Sequence, residues 1–538
     1  MNRYLAFLLL LMPLLGASQS FTASNLPIVL IDTKGAAIVD DPKIVATMQI
    51  IDNGAGRTNN LTDRASFSSV IGIELRGATS QLFPKKPYGV ELRDATGVNS
   101  EAKSVLGMPS ESDWVFNATY NDKTLIRETL TYGLFHKMST YYATRFRYCE
   151  LVLNGQYQGV YIVMERLKRD RNRVNISNIR KTDVSGDALT GGYILKIDKV
   201  AGSASRGWRS PYQAGLFKVN YDILIDRPKP EDLAEEQFQY IKKYVTDFED
   251  ALYGQDYRDP DKGWRKFAEE DSFVDYLLIN EVVRNVDAYR ISAYFYKDRD
   301  SKNPRLVMGP IWDFNLSFGN ADYCDGNSPR GWSFDHDVVC FRDQYQIPFW
   351  WKRLLTDLTF GRKVKERYKA LRQTILTPQK LGTFIDSTAN VLTDARTRNF
   401  VKWPVIGQYV WPNGYVGPTY QAEINFLKDW IAQRLAWMDS SIEAFGQVPL
   451  ATEPIDLAVG PNPSVGDVQV RCPLPQPGDV VLTLTTTQGR SVGTFRFAEQ
   501  PAGTFTHILS AGTFNGAGAY VLQVSTPAGA TSQVIVRE

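Results

Sequence analysis

The sequence predicts an α+β protein that consists of a large mixed domain and a small all-β module. Its 538 residues exceed the usual size of one domain. Before about residue 450, short apolar runs typical of strands come first, interrupted by one helical pattern, and mostly helical spacing follows. Residues 451–538 contain no Lys or Trp and are rich in Gly, Pro, Thr and Val, which favours a β-sandwich. We therefore expect two domains joined near residue 450.

Residues 1–20 have the layout of a secretory signal peptide. Arg3 precedes an apolar run from Leu5 to Leu15, and small and polar residues follow. The run is too short to span a bilayer, and no second apolar run of spanning length follows in the sequence. We therefore expect a secreted or surface-attached chain with no transmembrane span once the peptide is removed, and a main domain at 25–446.

A loop of small residues between two predicted strands is the first candidate binding feature. Gly77 to Pro84 follows a strand that ends at Arg76, and Lys85 and Lys86 precede the next strand. Backbone N–H groups in such a loop can bind phosphate, and an adjacent lysine can neutralise its charge. Alone, the pattern does not distinguish phosphate binding from an ordinary connection between strands.

A helix and a tight hairpin are predicted next. Asp122 is placed to cap a helix whose apolar residues follow helical spacing. We expect Arg127 and Glu128 in its first turn either to face a site or to form a surface ion pair. Further on, Asn154-Gly155 is a strong two-residue turn signal between two apolar runs.

The most informative segment runs from Asn285 to Gly319. Its apolar runs, Ile291–Lys297 and Arg305–Ile311, flank a polar turn and predict a β-hairpin. Adjacent antiparallel strands lie about 5 Å apart, so Asp287 before the first strand and Asp313 after the second should be neighbours. A protein-kinase-like phosphotransferase places its catalytic and its metal-holding Asp at these positions. The alternative is that both are ordinary turn or cap residues.

Histidine and cysteine are scarce in this chain. Three His and four Cys occur, without a C-x-x-C pair, which leaves little for a Ser-His-Asp triad or a thiolate zinc site. We expect oxygen ligands for any metal, which suits Mg²⁺ or Mn²⁺. In an exported protein, Cys324 and Cys340 either form a disulfide or remain buried thiols. The net charge of +2 gives no argument for a nucleic-acid partner.

Several motifs, in this order, resemble those of one family. They are I-E-L-R-G-A-T-S-Q-L-F-P-K-K-P-Y, L-G-M-P-S-E-S-D-W-V-F-N-A, L-V-L-N-G-Q-Y-Q-G-V-Y-I-V-M-E-R, G-G-Y-I-L-K-I-D-K, N-V-D-A-Y-R and G-P-I-W-D-F-N-L-S-F-G. Through them, the stretch from Leu26 to Phe445 is similar to the CotH kinase family, named after a spore coat protein. The resemblance implies a two-lobed, atypical protein-kinase-like domain. It also implies that the chain binds ATP with a divalent metal and phosphorylates Ser or Thr on a secreted or coat protein.

The C-terminal module carries a second resemblance. It opens with P-N-P-S-V-G and closes with G-A-Y-V-L-Q-V-S-T-P-A-G-A-T-S-Q-V-I-V-R-E. Residues 456–538, which follow a Pro-containing linker at 447–455, resemble the C-terminal sorting domains of the type IX secretion system. This resemblance implies the outer-membrane secretion machinery as a partner. The alternative is an ordinary Ig-like sandwich with an adhesive role.

The resemblance to the CotH kinase family also implies roles for individual residues. Asp287 matches the catalytic base, and Asp313 matches the Asp that holds Mg²⁺ or Mn²⁺. Ser292 stands where protein kinases have a metal-binding Asn, and Asn315 is the candidate for the missing oxygen ligand. The implied nucleotide-binding residues are Arg76, Gly77 and Ser80 in the phosphate loop, Lys85 or Lys86 on the phosphates, and Glu165 near adenine.

Two other functions are compatible with the sequence. ATP is scarce outside the cell, so one alternative is that the same fold serves adhesion or ligand binding with a degenerate nucleotide site. The aromatic clusters Pro348–Lys352 and Trp403–Pro412 are then either a sugar-stacking surface or core. A glycoside hydrolase would also use paired carboxylates, but the hairpin and the family resemblance fit it less well.

Overall fold

The fold comes from a computed structural model with two compact units, residues 1–446 and 447–538. The structure describes residues 21–200, 205–215, 218–447, 456–474, 477–487, 490–526 and 529–538. The predicted signal peptide at 1–20 lies outside the described residues, as does the predicted linker after its first residue. Helices and several sheets occur together, so the α+β prediction is confirmed.

The strands account for most of the first half of the chain and for the second unit. In the first unit they are β1 (Ala23–Ser24), β2 (Ile28–Asp32), β3 (Ile44–Ile51), β4 (Asn59–Asn60), β5 (Phe67–Leu75), β6 (Tyr88–Arg93), β7 (Asp113–Asn117), β8 (Phe146–Leu153), β9 (Gln156–Glu165), β10 (Tyr193–Ile197), β11 (Gly207–Ala214), β12 (Val219–Arg227), β13 (Ala293–Lys297) and β14 (Leu306–Met308). In the second unit they are β15 (Ala458–Gly460), β16 (Val468–Leu474), β17 (Gly478–Thr486), β18 (Ser491–Gln500), β19 (Gly503–Leu509), β20 (Gly518–Thr526) and β21 (Gly529–Arg537).

The α-helices lie mainly in the second half of the first unit. They are α1 (Arg127–Met138), α2 (Gly186–Leu189), α3 (Glu235–Tyr253), α4 (Glu270–Val283), α5 (His336–Val339), α6 (Trp350–Leu355), α7 (Leu358–Thr374), α8 (Pro378–Val391), α9 (Thr393–Lys402) and α10 (Tyr420–Ser441). Among the described residues, no helix is both long enough and apolar enough to cross a membrane.

Seven strands of the first unit form a closed sheet. Their order is β2-β3-β5-β6-β7-β9-β8, and parallel pairing of β2 with β8 closes it. The interior is apolar because alternate residues of each strand point inward. Asn154 and Gly155 join β8 to β9 with φ values of 49° and 73°, so the predicted two-residue turn is confirmed.

A second sheet of five strands carries the main hairpin. Its order is β11-β12-β10-β13-β14, and all neighbours are antiparallel. β13 and β14 pair through Phe295 and Met308, which confirms the predicted hairpin with shorter strands than the apolar runs indicated. β14 forms the edge and β10 pairs with β13, so the residues that follow β10 lie beside the open end of the hairpin.

The aromatic cluster at Pro348–Lys352 belongs to the core. Trp350 and Trp351 are 0% exposed, and Trp350 packs edge-on against Phe248. The interpretation of this cluster as a sugar-stacking surface is therefore wrong, because its two largest rings are enclosed by α3, α4 and α6.

Cys324 and Cys340 form a disulfide with a Cα–Cα distance of 5.0 Å. Of the two alternatives that the sequence left open, the disulfide is the one present. Cys149 and Cys472 are free and buried.

The second unit consists of two sheets with one shared apolar core. The sheets have the orders β15-β16-β19 and β18-β17-β20-β21. Alternate residues of β16 and β17 are buried, among them Val470 and Leu482. This period of two is what the sequence predicted for residues after 456.

Candidate active site

The hairpin brings its two flanking aspartates to one cleft. Asp287 lies in the turn after α4, and Asp313 lies in the segment after β14. Both line a cleft of about 640 Å³, together with the loop that connects β5 to β6. A pair of carboxylates more than twenty positions apart in sequence is thus placed at the same mouth.

Asp287 is oriented by its neighbours and stays accessible. Arg290 donates from Nη2 to Asp287 Oδ1 at 2.9 Å, and the Tyr323 hydroxyl donates to the same oxygen at 3.4 Å. The Asp287 side chain remains 20% exposed, whereas that of Arg290 is 2% exposed. A buried guanidinium therefore fixes a carboxylate that a substrate can still reach.

The backbone of Asp313 is fixed in a left-handed conformation with φ of 66°. Its N–H donates to the Tyr132 hydroxyl at 3.3 Å, and its carbonyl accepts from Asn285 Nδ2 at 3.2 Å. Asn285 Oδ1 also accepts from the Asp287 N–H at 3.2 Å. The side-chain amide of Asn285 therefore connects the segment of Asp287 to the segment of Asp313 through hydrogen bonds. A non-glycine residue is strained in this conformation, and such strain is common at functional sites.

The negatively charged carboxylates in the cleft repel each other. Asp313 is exposed to the solvent of the cleft, but the surrounding protein removes part of its hydration. This loss of hydration and the nearby Asp287 raise the pKa of Asp313, while Arg76 opposes the rise. Glu128 of α1 is buried and accepts from Tyr132 and Asn117 at 2.8 and 3.0 Å, and burial together with Asp313 raises its pKa too. A bound cation would relieve this repulsion.

These raised pKa values predict how stability depends on pH. The folded chain binds the protons of Asp313 and Glu128 more tightly than the unfolded chain does, so their contribution to the free energy of unfolding falls as pH rises. We expect this fall in the metal-free chain between pH of about 4, the ordinary carboxyl pKa, and neutrality. Urea denaturation across this range should show a shallower fall for Asp313→Asn than for the unmodified chain.

The control for this measurement is Asp322→Asn, which changes an exposed carboxylate that accepts from the Tyr409 hydroxyl at 2.6 Å. Its pH profile should run parallel to that of the unmodified chain. Parallel profiles for Asp313→Asn as well would contradict the assigned direction of the pKa shift. Addition of Mg²⁺ should flatten the profiles of the unmodified chain and of Asp322→Asn but not that of Asp313→Asn, because the cation favours ionised Asp313.

A further carboxylate of the cleft, Asp198, was not predicted from the sequence. Asp198 directly follows β10 and lines the cleft, and its charge contributes to the raised pKa of Asp313. Lys196 Nζ lies 2.9 Å from Asp198 Oδ2. The signal was present in G-G-Y-I-L-K-I-D-K, where an acidic residue ends a buried strand, but only the tertiary structure places this strand next to β13.

The loop after β5 covers one side of the cleft. Arg76, Gly77 and Ser80 all line it, and a 3₁₀ helix, Thr79–Leu82, follows Gly77. The guanidinium of Arg76 lies 4.9 Å from the ring centroid of Trp312, next to Asp313 in sequence. The three residues therefore line the same cleft as Asp313, and their implied role in a phosphate loop stays a prediction.

Gly77 is required by this loop for two reasons. Its φ is 92°, and a Cβ at this position would lie 2.0 Å from Ser80 Oγ. We expect Gly77→Ala to weaken ATP binding by about tenfold, since about 1.4 kcal/mol of strain or displacement has this effect. Gly107→Ala is the matched control, because Gly107 has φ of 72° and a Cβ added there would have no other atom within 4 Å. Calorimetric titration that shows equal affinity for both variants would contradict the role of the loop.

Lys85 and Lys86 use their ammonium groups in contacts within the protein, whereas the resemblance implied that one of them binds the nucleotide phosphates. Lys85 Nζ donates to Val160 O at 2.5 Å and to Asn399 Oδ1 at 2.9 Å, and its burial lowers its pKa to about 7. Lys86 Nζ donates to Gln81 O at 2.6 Å. Lys85 borders the cleft but uses its ammonium group in contacts with β9 and α9, and Lys86 is not among the cleft residues. Arg76 is the basic residue that the structure places nearest to Asp313 on the loop.

Glu165 is also placed away from the cleft. It is 0% exposed and accepts from the Tyr142 hydroxyl at 3.0 Å and from Arg145 Nη1 at 2.9 Å. Its carboxylate is therefore committed to an internal ion-pair network. Met164, one residue earlier on β9, lines the cleft instead.

Ser292 and Asn315 both line the cleft near Asp313. Ser292 has a left-handed φ of 52°. Asn315 donates from Nδ2 to Asn121 Oδ1 at 3.2 Å, so the side-chain oxygen is its atom for a cation. The role of both residues as metal ligands, which the resemblance implied, stays a prediction.

Comparisons with known proteins identify the family of this chain. Residues 73–438 match the family model described as CotH kinase protein. The match covers more than half of the chain, so the chain belongs to the CotH kinase protein family. No curated protein matches the chain. Among solved structures, the twitchin kinase region from C. elegans is similar at 9% identity over 93% of this chain and 98% of that chain. Its TM-score of 0.15 is too low to carry an argument.

Proposed function

We propose that this chain is a protein kinase with a two-lobed, kinase-like first unit. It transfers the terminal phosphoryl group of ATP to Ser or Thr of an extracytoplasmic protein. One observation carries most of this proposal: Asp287 and Asp313 flank one hairpin and line one cleft beneath the loop that contains Arg76 and Gly77. Family membership supports the same chemistry.

The donor groups of the cleft fit a hard divalent cation. Mg²⁺ and Mn²⁺ prefer oxygen ligands. The cleft offers such oxygen atoms on the carboxylates of Asp313 and Asp198, the amide of Asn315 and the hydroxyl of Ser292. Among the described residues that line the cleft there is no His or Cys. When bound, Mg²⁺ supplies positive charge across the phosphates of ATP.

The residues of the chain perform the remaining steps. Asp287 accepts the proton of the incoming hydroxyl while Arg290 holds its carboxylate in place. Arg76 balances the negative charge of the phosphates from the loop side. With ATP bound, the loop from Gly77 to Ser80 would lie next to the phosphates, where it would limit the access of water and so the hydrolysis of ATP.

We also propose that the chain reaches the cell surface by type IX secretion. The layout of residues 1–20 and the motifs in residues 456–538 support export across both membranes. Cell fractionation tests this, because a chain that ends at residue 446 should no longer appear at the surface. Surface display that does not depend on residues 456–538 would contradict it.

The test of the activity itself is phosphate transfer from ATP labelled at the terminal phosphate. The purified chain should label Ser or Thr of secreted or surface proteins when Mg²⁺ is present. Binding of surface glycans without nucleotide binding would favour the adhesion alternative instead. Cleavage of a polysaccharide without added ATP would favour a glycoside hydrolase.

A further inference from the structure

A cluster of four possible zinc ligands lies beside the cleft. Cys324, His336, Cys340 and Asp343 place their ligand atoms within 4.8 Å of one another. A tetrahedral zinc ion with bonds of about 2.0–2.3 Å separates its ligand atoms by roughly 3.3–3.8 Å. The two Sγ atoms are bonded to each other and must separate to this spacing, while the other ligand atoms are at most about 1 Å further apart than zinc requires.

His336 provides an independent indication of a missing ligand. It is 5% exposed, and its Nε2 has no hydrogen-bond partner among the described residues. This nitrogen lies 3.8 Å from Asp343 Oδ2, which is longer than a hydrogen bond. A buried polar atom without a partner is unfavourable by about 1–3 kcal/mol, so a group that satisfies Nε2 inside the cluster would be favoured.

We propose that these four residues form a zinc site when the disulfide is reduced. A dithiol supplies two electrons and two protons, which break the bond between the two Sγ atoms, give two thiols and leave the dithiol as its own disulfide. Zinc then displaces both thiol protons to solvent and takes Sγ of Cys324 and Cys340, Nε2 of His336 and an oxygen of Asp343. The disulfide and the zinc site exclude each other, because both use the Sγ atoms of Cys324 and Cys340.

The cluster is connected to Asp287 through two contacts. Arg290 donates to Asp343 Oδ2 at 3.1 Å and to Asp287 Oδ1 at 2.9 Å. Tyr323, which precedes Cys324, donates to Asp287 at 3.4 Å. Arg290 is thus shared between Asp343 and Asp287, and zinc binding by Asp343 would change its contact with Asp287. An effect on phosphate transfer rests on the proposed function, whereas zinc binding itself does not.

Metal binding tests the proposal without any activity assay. The full chain is reduced with dithiothreitol, freed of reductant under nitrogen and titrated with Co²⁺ and then Zn²⁺. We expect a thiolate-to-cobalt charge-transfer band at one Co²⁺ per chain, and its loss when one equivalent of Zn²⁺ is added. The oxidised chain should show no band. Asp343→Asn and His336→Ala each remove a direct ligand, so each should weaken binding by more than the about 10- to 100-fold that follows loss of an outer-shell partner.

Matched controls identify the ligands. Cys472→Ser changes a free cysteine of the second unit, and Asp337→Asn changes a carboxylate that pairs with Lys352 at 2.6 Å; both should bind Co²⁺ like the unmodified chain. The double variant Cys324→Ser/Cys340→Ser should lose the band. If the reduced, unmodified chain shows no thiolate band, or if the band survives in that double variant, the proposal is overturned. Comparison of the reduced and oxidised unmodified chain decides the question even if a variant does not fold.

Discussion

Asp313→Ala is expected to abolish the stabilisation of the chain by ATP and Mg²⁺. Asp313 lines the cleft, and its backbone is fixed by Tyr132 and Asn285. Ligand at about 100 times its dissociation constant adds about 2.7 kcal/mol to the free energy of unfolding. The variant should lose nearly all of this increment while remaining folded, because the substitution removes an unfavourable charge from the apo cleft.

Thermal unfolding of the full chain, with ATP, with Mg²⁺ and with both, measures this effect. Asp322→Ala is the control, since Asp322 lies nearby but is exposed and does not line the cleft. The control should keep the whole metal-dependent shift. If Asp313→Ala kept it as well, the metal would have to bind elsewhere, and the assignment of Asp313 would be wrong.

Asp287→Asn is expected to preserve nucleotide binding and to slow phosphate transfer by about 100- to 10,000-fold, the usual contribution of a general base. Asn keeps the size of the side chain but cannot accept the proton of the acceptor hydroxyl. Arg290 retains its second carboxylate partner, Asp343, at 3.1 Å, so the buried guanidinium is not left without a counter-charge. The loss should therefore appear in the transfer rate and not in the thermal shift with ATP and Mg²⁺.

Single-turnover transfer from labelled ATP, measured beside the thermal shift, separates these two effects. Asp322→Asn serves as the control and should transfer phosphate at the unmodified rate. Full transfer activity in Asp287→Asn would exclude this residue as the base. Loss of both binding and transfer would show that Asp287 holds the metal instead.

The site was predictable from sequence where neighbouring residues in the chain set the geometry. The hairpin of β13 and β14 forms because two apolar runs flank a polar turn, and it carries Asp287 and Asp313 to one mouth regardless of the rest of the fold. The turn at Asn154-Gly155 was predictable for a similar reason, since both positions need positive φ.

Residues that reach the cleft from distant segments were not predictable in this way. Asp198 reaches the cleft because β10 pairs with β13, although about one hundred positions separate the paired residues. Glu128 was expected at a surface or facing a site, and only the packing of α1 shows that it is buried beside Asp313. Lys85 was expected on phosphate, but the approach of α9 gives its ammonium group a partner in Asn399.

The sequence by itself determined the α+β class, the hairpin with its two aspartates and the change of composition near residue 450. These features depend on local spacing and on backbone preferences that need no distant contact. The tertiary structure decided which further groups line the cleft, which lysine is engaged elsewhere and how Arg290 links Asp287 to Asp343. Such contacts join segments far apart in the chain, and their formation depends on how whole sheets and helices pack, which the order of residues in one segment does not reveal.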